Sequence, residues 1–270
     1  MRKAVSSLRR PAVATARGIT PFFSEGGIAL YHGDCLDILP GLQEAEADAL
    51  ITDPPYSSGG TTAAERARDP VEKYCQDGNA RGRPSFAGDT RDQRSFLLWG
   101  SLWGLLARRA CKPGAYGLVF SDWRQVPTMS DLLQAAGFTW RGMIAWDKGR
   151  GARAPHKGYF RHQCEYVVWG TNGRCELADD GPWDGCLHQS VKKADKFHVT
   201  GKPTDLMRQL VRCVPPGGLV LDPFGGSCTT GVACALTGRR CILIEQSIEY
   251  CRIGADRLRQ ALASRSQAAA

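Results

Sequence analysis

The segment LVLDPFGGSCTTG, residues 219–231, decides how the rest of the chain is interpreted. Its apolar start predicts a buried strand, its glycines predict a tight turn after Asp222, and the threonines that follow begin a predicted helix. A second apolar run, residues 241–244, then ends at Glu245. The order strand, glycine-rich turn, helix, strand and acid is that of one half of a nucleotide-binding α/β unit.

Ligands that carry phosphates fit this turn poorly. Val232 stands where a phosphate-binding P-loop needs its lysine, and the turn does not have the G-x-G-x-x-G spacing of a dinucleotide site. Glu245 follows Asp222 by 23 residues, close to the spacing of about 20 expected for an acid that binds ribose hydroxyls. Two carboxylates repel phosphate and attract a sulfonium and an ammonium group. This favours S-adenosylmethionine, with a purely structural glycine turn as the alternative.

A second segment, ALITDPPY at residues 49–56, has the chemistry to bind an amine. Its apolar run predicts a strand that stops at the paired prolines, because proline cannot continue the hydrogen-bond ladder. The stiff loop fixes the Asp53 carboxylate and the Pro54 carbonyl as two acceptors for the N–H groups of a planar amine. The ring of Tyr56 offers a face on which the amine's own ring can stack. Taken alone, the segment is equally compatible with an ordinary strand-to-loop turn.

The remaining apolar patterns predict an α/β protein with seven strands. The tripeptide Lys112-Pro113-Gly114 is expected to end a helix before the next strand begins. Besides the three runs above, strands are predicted at residues 28–31, 115–120, 138–146 and 164–169, and helices at residues 36–42, 96–110, 123–137, 203–214, 229–236 and 248–262.

Three motifs together resemble those of DNA amino-methyltransferases. They are DPPY at residues 53–56, HVTGKP at 198–203 and DPFGGS at 222–227, and their order along the chain resembles the β group of these enzymes. The likeness runs from about residue 28 to residue 262 and implies a circularly permuted class-I S-adenosylmethionine-dependent methyltransferase fold, with a Rossmann-like sheet of seven strands. The chain departs from the family pattern at Val199 and Gly201 and at Cys228, which replaces a glycine. Because cysteine is small, the cofactor turn is expected to survive, with tighter clearance.

The resemblance also implies roles for individual residues. Glu245 is expected to bind the ribose hydroxyls and Asp34 the adenine amino group, although Asp34 is also a suitable N-cap for the helix after it. The catalytic set is Asp53, Pro54, Pro55 and Tyr56. The cofactor set is Asp34, Cys35, Thr200, Lys202, Asp222, Phe224, Gly225, Gly226, Ser227, Thr229 and Glu245, and no metal ligand is predicted.

Composition and charge make nucleic acid a plausible partner. The chain has 270 residues, a formal net charge of +8 and the 43% hydrophobic content of an ordinary soluble globular protein. Its eleven cysteines are odd in number and include no C-x-x-C pair, so reduced thiols in a cytoplasmic protein are expected. Binding to DNA would associate such a protein with the nucleoid. Contacts to double-stranded DNA are assigned to Arg81, Arg83, Arg153, Lys157, Lys192 and Lys193, although a solvated basic face explains any one of them equally well.

One domain is expected to carry all of these features. Residues 1–24 are interpreted as a basic, disordered arm, residues 25–262 as a single methyltransferase domain and residues 263–270 as a frayed tail. Two polar segments, at about 57–95 and 171–197, are expected to be insertions that contact DNA. No apolar run approaches the 18 or so residues needed to span a membrane.

These observations predict a site-specific methyltransferase that transfers a methyl group from S-adenosylmethionine to adenine N6 in double-stranded DNA, after the base has left the helix. Asp rather than Ser at the head of the catalytic motif favours adenine in the family. Cytosine-N4 methylation is the alternative, together with a non-catalytic cofactor- or DNA-binding relative and with methylation of RNA or protein glutamine. The sequence leaves open a homodimer and a cognate restriction enzyme.

Overall fold

A computed structural model describes residues 16–56, 89–149, 157–175, 180–190 and 201–268. These residues form one nine-stranded sheet with helices on both faces. The strands are β1 (Phe23–Glu25), β2 (Ile28–His32), β3 (Ala47–Thr52), β4 (Cys111–Ser121), β5 (Thr139–Asp147), β6 (Cys164–Thr171), β7 (Cys186–His188), β8 (Leu219–Asp222) and β9 (Arg240–Glu245). The helices are α1 (Cys35–Ile38), α2 (Gln93–Ala110), α3 (Val126–Ala135), α4 (Thr204–Leu210), α5 (Thr229–Thr237) and α6 (Ile248–Ala268), with 3-10 turns at Leu39–Gly41 and Val211–Cys213.

The strands lie in the order β1-β2-β9-β8-β3-β4-β6-β5-β7. The five strands from β2 to β4 in that order are mutually parallel, whereas β6 is antiparallel to both β4 and β5. The predicted α/β class is confirmed, and all seven predicted strands form. The strand count of seven is wrong, because the short edge strands β1 and β7 add to it. A run of three residues is too short to show a readable alternation of polar and apolar side chains.

Helices cover both faces of the sheet, which is why the central strands are apolar on both sides. In β8, Val220 faces one core and Leu221 the other, and both are fully buried. Trp103 of α2 and Leu132 of α3 pack on the Leu221 side, and Leu258 of α6 packs on the Val220 side. None of the helices in the described ranges is long and apolar enough to cross a membrane.

The amino-terminal boundary lies earlier than residue 25. The amide of Ala16 donates to the hydroxyl of Tyr31 at 3.0 Å, and the amide of Arg17 donates to the carbonyl of Gly41 at 2.8 Å. Strand β1 then pairs with β2. The part of the predicted arm from Ala16 onward is therefore packed against the domain, and the prediction of disorder is wrong there. Residues 1–15 lie outside the described residues.

Two other predicted boundaries are also wrong. Strand β4 begins at Cys111 and includes Lys112-Pro113-Gly114, which was expected to separate helix from strand. Gly114 takes a φ of +80°, and the register between β3 and β4 shifts close by, so the chain passes this irregular point without leaving the sheet. Helix α6 continues to Ala268 rather than ending at residue 262, because residues 263–268 contain no glycine or proline and include alanine, arginine and glutamine, which favour helix.

Strands β3 and β8 place the two motif loops together. They are adjacent and parallel, with Leu50 opposite Leu221. The carboxyl ends of parallel strands lie at one edge of the sheet, so the chain leaves β3 and β8 side by side. The loops that follow Thr52 and Asp222 are therefore neighbours in space.

Candidate active site

A cavity of about 560 Å³ opens where the carboxyl ends of the parallel strands meet. Its volume lies in the range of about 300–1,000 Å³ typical of small-molecule sites. Residues 53–56 after β3 and residues 222–227 after β8 both line it, as do Asp34 after β2 and Glu245 at the end of β9. The fold thus brings into one site four segments that are far apart in the sequence.

The two oxygens of Asp53 have different surroundings. The ammonium of Lys202 lies 2.7 Å from Oδ2, and the lysine side chain is only 6% exposed. The other oxygen, Oδ1, is buried and has no hydrogen-bond partner among the described residues. A buried acceptor without a donor costs about 1–3 kcal/mol. Such an atom at a cavity wall is therefore suited to accept a hydrogen bond from a ligand.

The charges around Asp53 set its ionisation. Burial raises the pKa of Asp53, Lys202 opposes that rise, and the carboxylates of Glu165 and Asp222 add to it, giving a pKa of about 6. Burial lowers the pKa of Lys202, but Asp53 and Glu165 more than offset this, so its pKa lies above its ordinary value. At neutral pH the lysine is therefore a cation and Asp53 is mainly a carboxylate.

Glu165 of β6 faces the same lysine. Its Oε2 lies 3.4 Å from the Lys202 ammonium and accepts from the hydroxyl of Tyr56 at 3.4 Å, while its Oε1 lies 3.0 Å from the ammonium of Lys148. Burial favours the neutral acid, but the two ammonium groups hold the pKa of Glu165 below its ordinary value. Glu165 was not among the site residues predicted from the sequence. An acid inside an apolar strand was the signal that could have identified it.

Asp222 joins the two motif loops. The hydroxyl of Thr52 donates to its Oδ1 and that of Thr230 to its Oδ2, each at 2.6 Å, and the amide of Phe224 donates to Oδ1 at 3.1 Å. Burial raises the pKa of Asp222, and these hydrogen bonds oppose the rise. The residue is 2% exposed. Although it lines the cavity, both of its oxygens are used to hold the protein's own loops in place.

Two residues with left-handed backbone shape the glycine-rich turn. Gly226, with φ of 51°, donates its amide to Oε2 of Glu245 at 2.7 Å and so ties the turn to β9. Cys228, with φ of 63°, takes a conformation that costs a residue with a Cβ roughly 1–2 kcal/mol. Its side chain is fully buried against Gly254 of α6 and is not part of the cavity lining. The cofactor turn is formed as expected, but the expected tighter clearance is wrong, because the Cys228 side chain lies outside the cavity lining.

Glu245 and Asp34 each combine a structural contact with a place on the cavity wall. Glu245 accepts the amide of Ser247 through Oε1 at 2.8 Å, and Asp34 caps α1 by accepting the amide of Leu36 at 2.8 Å. Burial raises the pKa of Glu245, against the effect of its backbone hydrogen bonds. A carboxylate offers about four lone-pair sites, so capping and ligand binding by Asp34 are compatible.

Arg257 of α6 supports the turn from below. One of its nitrogens, Nη1, donates to the carbonyl of Ser227 at 2.5 Å, to the Ser227 hydroxyl at 3.0 Å and to the Thr229 hydroxyl at 3.1 Å. Arg257 was missed from the sequence. It lies at helical spacing from the buried positions Gly254 and Ala261, and an arginine on a buried helix face was the available signal.

Ten of the eleven predicted cofactor residues line the cavity. They include Phe224, whose ring packs against two tryptophans: its centroid lies 5.1 Å from the ring centroid of Trp103 and 5.4 Å from that of Trp99. The structure adds Asp89 and Arg91 to the wall. Six predicted site residues lie outside the described residues: Thr200, Arg81, Arg83, Arg153, Lys192 and Lys193. Of the two predicted DNA-contacting insertions, all of residues 57–88 and parts of 171–197 also lie outside them.

An aromatic and basic surface lies at the same edge of the sheet. The connection between β5 and β6 emerges beside the carboxyl end of β4. There Trp123 stacks on His162 with ring centroids 5.4 Å apart and planes at 8°, and the guanidinium of Arg124 lies 5.2 Å from the Trp123 ring centroid. Exposed aromatic rings among cations are typical of surfaces that bind nucleic acid. The neighbouring exposed side chains include Lys157, Tyr159 and Phe160.

The charge of the cavity wall restricts its ligands. Acids outnumber bases, so a phosphate group would be repelled, whereas a cationic ligand with amino and hydroxyl groups would be attracted. The rings of Phe224 and Trp99 supply an apolar part of the wall. The charged side chains of the lining are Asp34, Asp53, Asp89, Asp222, Glu245 and Glu249 on the acidic side and Arg91 and Lys202 on the basic side, with His32 as a further titratable group.

Relatives of known sequence resemble this chain over most of its length. A family model described as DNA methylase, of the N6/N4 methyltransferases, matches residues 180–256. The protein YubD of Escherichia coli is 30% identical over 240 residues, which cover 88% of this chain and 93% of YubD. The type II methyltransferase M2.DpnII of Streptococcus pneumoniae is 27% identical over 257 residues, covering 88% and 92% of the two chains.

Solved structures resemble this chain in fold. The M1.HpyAVI–SAM complex superposes with a TM-score of 0.64 at 22% identity, covering 86% of this chain and 98% of M1.HpyAVI. The PvuII DNA methyltransferase, which is cytosine-N4-specific, superposes with a TM-score of 0.66 at 19% identity, covering 89% of each chain. The predicted class-I methyltransferase fold is confirmed by these likenesses, with nine described strands in place of seven.

Proposed function

This chain belongs to the family of N6/N4 DNA methylases and is a DNA methyltransferase, and from that premise we propose that it methylates adenine N6 at a specific site in double-stranded DNA. The proposed methyl donor is S-adenosylmethionine. The observation that carries the proposal is the buried Oδ1 of Asp53, an acceptor without a partner among the described residues, at the wall of an acidic cavity.

The residues of the cavity suit S-adenosylmethionine. When bound, this cofactor supplies an electrophilic methyl carbon on a sulfonium group. Its sulfonium and ammonium charges match the excess of carboxylates, and it has no phosphate to be repelled. Glu245 would accept the ribose hydroxyls, Asp34 the adenine amino group, and the backbone of residues 224–227 would hold the methionine end. Thr200, which lies outside the described residues, is proposed to join that group.

The catalytic loop suits an exocyclic amino group. Such a group has two N–H donors, and Oδ1 of Asp53 and the carbonyl of Pro54 are two acceptors on adjacent residues at the cavity wall. The ring of Tyr56 provides a stacking face, and base–aromatic stacking stabilises a bound base by about 1–3 kcal/mol. Two such hydrogen bonds draw the nitrogen toward tetrahedral geometry and localise its lone pair. The gain comes from orientation and electrostatics.

Asp53 also serves as the proposed proton acceptor. An amino nitrogen that gains a carbon substituent becomes cationic and must lose a proton. Oδ1 of Asp53 would receive that proton, while Lys202 keeps Oδ2 occupied at 2.7 Å. This role requires Asp53 to be ionised before the reaction, which its pKa of about 6 allows at neutral pH.

Double-stranded DNA is the proposed substrate. In a duplex, the reacting amino group of a paired base is buried in the helix. The base must be extruded to reach residues 53–56. The surface that carries Trp123, Lys157 and Phe160 lies at the same edge of the sheet and would contact the duplex around the cavity. The predicted contacts Arg81, Arg83, Arg153, Lys192 and Lys193 remain part of the proposal.

The direct test is methyl transfer to DNA by the full-length protein. Purified protein would be incubated with tritiated S-adenosylmethionine and DNA from a methylation-deficient host, and the DNA digested to nucleosides for mass spectrometry. We expect N6-methyldeoxyadenosine at one short sequence. Label in N4-methyldeoxycytidine would instead establish the cytosine-N4 alternative, which the fold likeness to the PvuII enzyme keeps relevant.

Two controls make the test specific. RNA and a glutamine-containing peptide, added as competitors in excess, should not reduce the label in DNA. The Asp53→Ala variant should bind the cofactor in calorimetry and transfer no label. If the wild type binds the cofactor but labels no DNA of any sequence, the proposed function is wrong.

A further inference from the structure

Glu165 takes no direct part in the proposed methyl transfer. It lies in β6, whose neighbouring residues Val167 and Val168 are fully buried. Its carboxylate side chain is 20% exposed and contacts two ammonium groups. A charge in such a place costs several kcal/mol of desolvation unless it is paired.

Each oxygen of Glu165 has its own partners. Oε1 lies 3.0 Å from the ammonium of Lys148 on the β5 side. Oε2 lies 3.4 Å from the ammonium of Lys202, and the hydroxyl of Tyr56 donates to the same oxygen at 3.4 Å. One carboxylate oxygen thus contacts both the lysine that pairs with Asp53 and the aromatic residue of the catalytic loop.

The lysine transmits this contact to Asp53. Its ammonium lies between two carboxylates, 2.7 Å from Oδ2 of Asp53 and 3.4 Å from Oε2 of Glu165. Because Lys202 occupies Oδ2, the rotation of the Asp53 carboxylate is restrained, and Oδ1 is the oxygen that has no partner among the described residues. Moving the lysine toward either acid would change both the orientation and the charge balance of Asp53.

We propose that Glu165 is a positioning residue for the methyl transfer: it holds Lys202 against Asp53 and Tyr56 against the cavity, and so fixes the orientation and the ionisation of the proton acceptor. This inference rests on the proposed function of the same site. Glu165 touches neither Oδ1 nor the base that would bind there, and acts through Lys202 and Tyr56.

The charges that face this group define the expected effects. Asp53 meets Lys202 from the segment before α4, Glu165 from β6 and Asp222 from β8. Glu165 in turn meets Lys148, which directly follows β5, and Asp122, which directly follows β4. Replacing Glu165 with glutamine removes a negative charge near Asp53. The Lys202 ammonium then interacts with the Asp53 carboxylate alone and stabilises its ionised form, so the pKa of Asp53 falls. Replacing Lys148 with methionine removes one of the two cations that pair with Glu165, so Glu165 attracts Lys202 more strongly. The interaction of Lys202 with Asp53 is then weaker, and the pKa of Asp53 rises.

The test is the pH profile of single-turnover methyl transfer for a pair of variants. For Glu165→Gln we expect the acid limb to move to lower pH by about one unit, and the plateau rate to fall about tenfold because the acceptor and ring lose their alignment. For Lys148→Met we expect the acid limb to move to higher pH. Calorimetric affinity for S-adenosylmethionine should stay within about twofold of wild type in both, since neither side chain is part of the cavity lining.

A matched control is Asp122→Asn. Asp122 is a carboxylate near Glu165 that caps the turn before α3, and among the described residues no hydrogen bond or ion pair joins it to Lys202. The acid limb of this variant should stay within about 0.2 units of wild type. An equal shift in Asp122→Asn would overturn the proposal, because it would show a general effect of lost charge.

The outcomes separate this inference from the proposed function. If the wild type methylates DNA and the acid limb is unmoved in both Glu165→Gln and Lys148→Met, Glu165 is merely structural and the inference is wrong. If Glu165→Gln does not fold, the Lys148→Met variant is sufficient as a test. An acid limb of its pH profile that is unmoved, or that moves to lower pH, would overturn the inference about Glu165. A wild type that methylates no DNA would overturn the proposed function itself.

Discussion

Thr52, at the end of β3, donates a hydrogen bond of 2.6 Å to Asp222, at the end of β8, although 170 residues separate them in the chain. The bond joins the residue before the Asp-Pro-Pro-Tyr loop to the first residue of the glycine-rich loop. Both partners are buried. The two loops of the site are therefore fixed to each other by a direct contact, besides their places on adjacent strands.

Asp222→Ala tests how far that contact supports the site. The variant leaves the hydroxyls of Thr52 and Thr230 and the amide of Phe224 without their acceptor. We expect a loss of about 2 kcal/mol or more in the free energy of unfolding, and a weaker affinity for S-adenosylmethionine. Urea unfolding and calorimetry measure the two effects. Thr230→Val removes one donor and leaves the acid, so the free energy of unfolding and the affinity for S-adenosylmethionine should both fall less. Equal affinity in wild type and Asp222→Ala would contradict the prediction.

Asp53→Asn tests the acceptor at the cavity wall. The amide is nearly isosteric, but it cannot take up a proton and it loses the charge that pairs with Lys202. We expect the rate of methyl transfer to fall roughly a hundredfold or more, with little change in affinity for S-adenosylmethionine. Asp37→Asn, an exposed acid of α1 outside the cavity lining, is the control and should keep full activity. Substantial methylation by Asp53→Asn would refute the role of Asp53.

The wild-type pH profile follows from the ionisation of Asp53. Its pKa is raised to about 6, chiefly by burial. Because the ionised form is the one that accepts the proton, activity should be present above pH 6 and should be lost as the pH falls through that value. Single-turnover rates in buffers of constant ionic strength would measure it. An acid limb near the ordinary aspartate value of about 4 would show that another group controls the rate.

Gly254→Ala tests the packing beneath the cofactor turn. A Cβ on Gly254 would lie 2.3 Å from Sγ of Cys228, a separation that neither atom can accommodate without movement. Overpacking of this kind destabilises by about 1–3 kcal/mol. The double variant Cys228→Gly with Gly254→Ala removes the sulfur and also relieves the left-handed cysteine. Its free energy of unfolding should recover most of the loss, whereas purely additive effects in urea unfolding would contradict this contact.

Lys157→Ala tests the proposed DNA-facing edge. Lys157 is exposed beside Phe160, which is 94% exposed, on the connection between β5 and β6. Loss of one phosphate contact should weaken DNA binding for all sequences and reduce the slope of log K against log salt by about 1. Fluorescence anisotropy at several salt concentrations measures it. Arg259→Ala, at an exposed position of α6 paired with Asp256, should leave the slope unchanged.

Most of the fold could be read from local patterns. Apolar runs located the seven longer strands, and proline and glycine after residues 53 and 222 located the loops that leave β3 and β8. These patterns are readable because each arises from the geometry of a short stretch of backbone. Edge strands of three residues, the irregular start of β4 and the packed segment from Ala16 were missed, since their stability comes from neighbours in the fold rather than from their own residues.

The site divides in the same way. Asp53 and Asp222 could be chosen from the sequence because a proline follows each of them directly at the end of an apolar run. Glu245 could be chosen because it ends an apolar run 23 residues after Asp222. Glu165 and Arg257 could not be chosen from the sequence. Their roles depend on partners that are distant in the chain, Lys202 for Glu165 and Ser227 for Arg257. The sequence by itself determined the fold class and which loops carry the chemistry. Only the tertiary structure decided that Lys202 pairs with Asp53 and that Asp222 holds Thr52, because charges and hydrogen bonds act over a few ångströms of space whatever the separation along the chain.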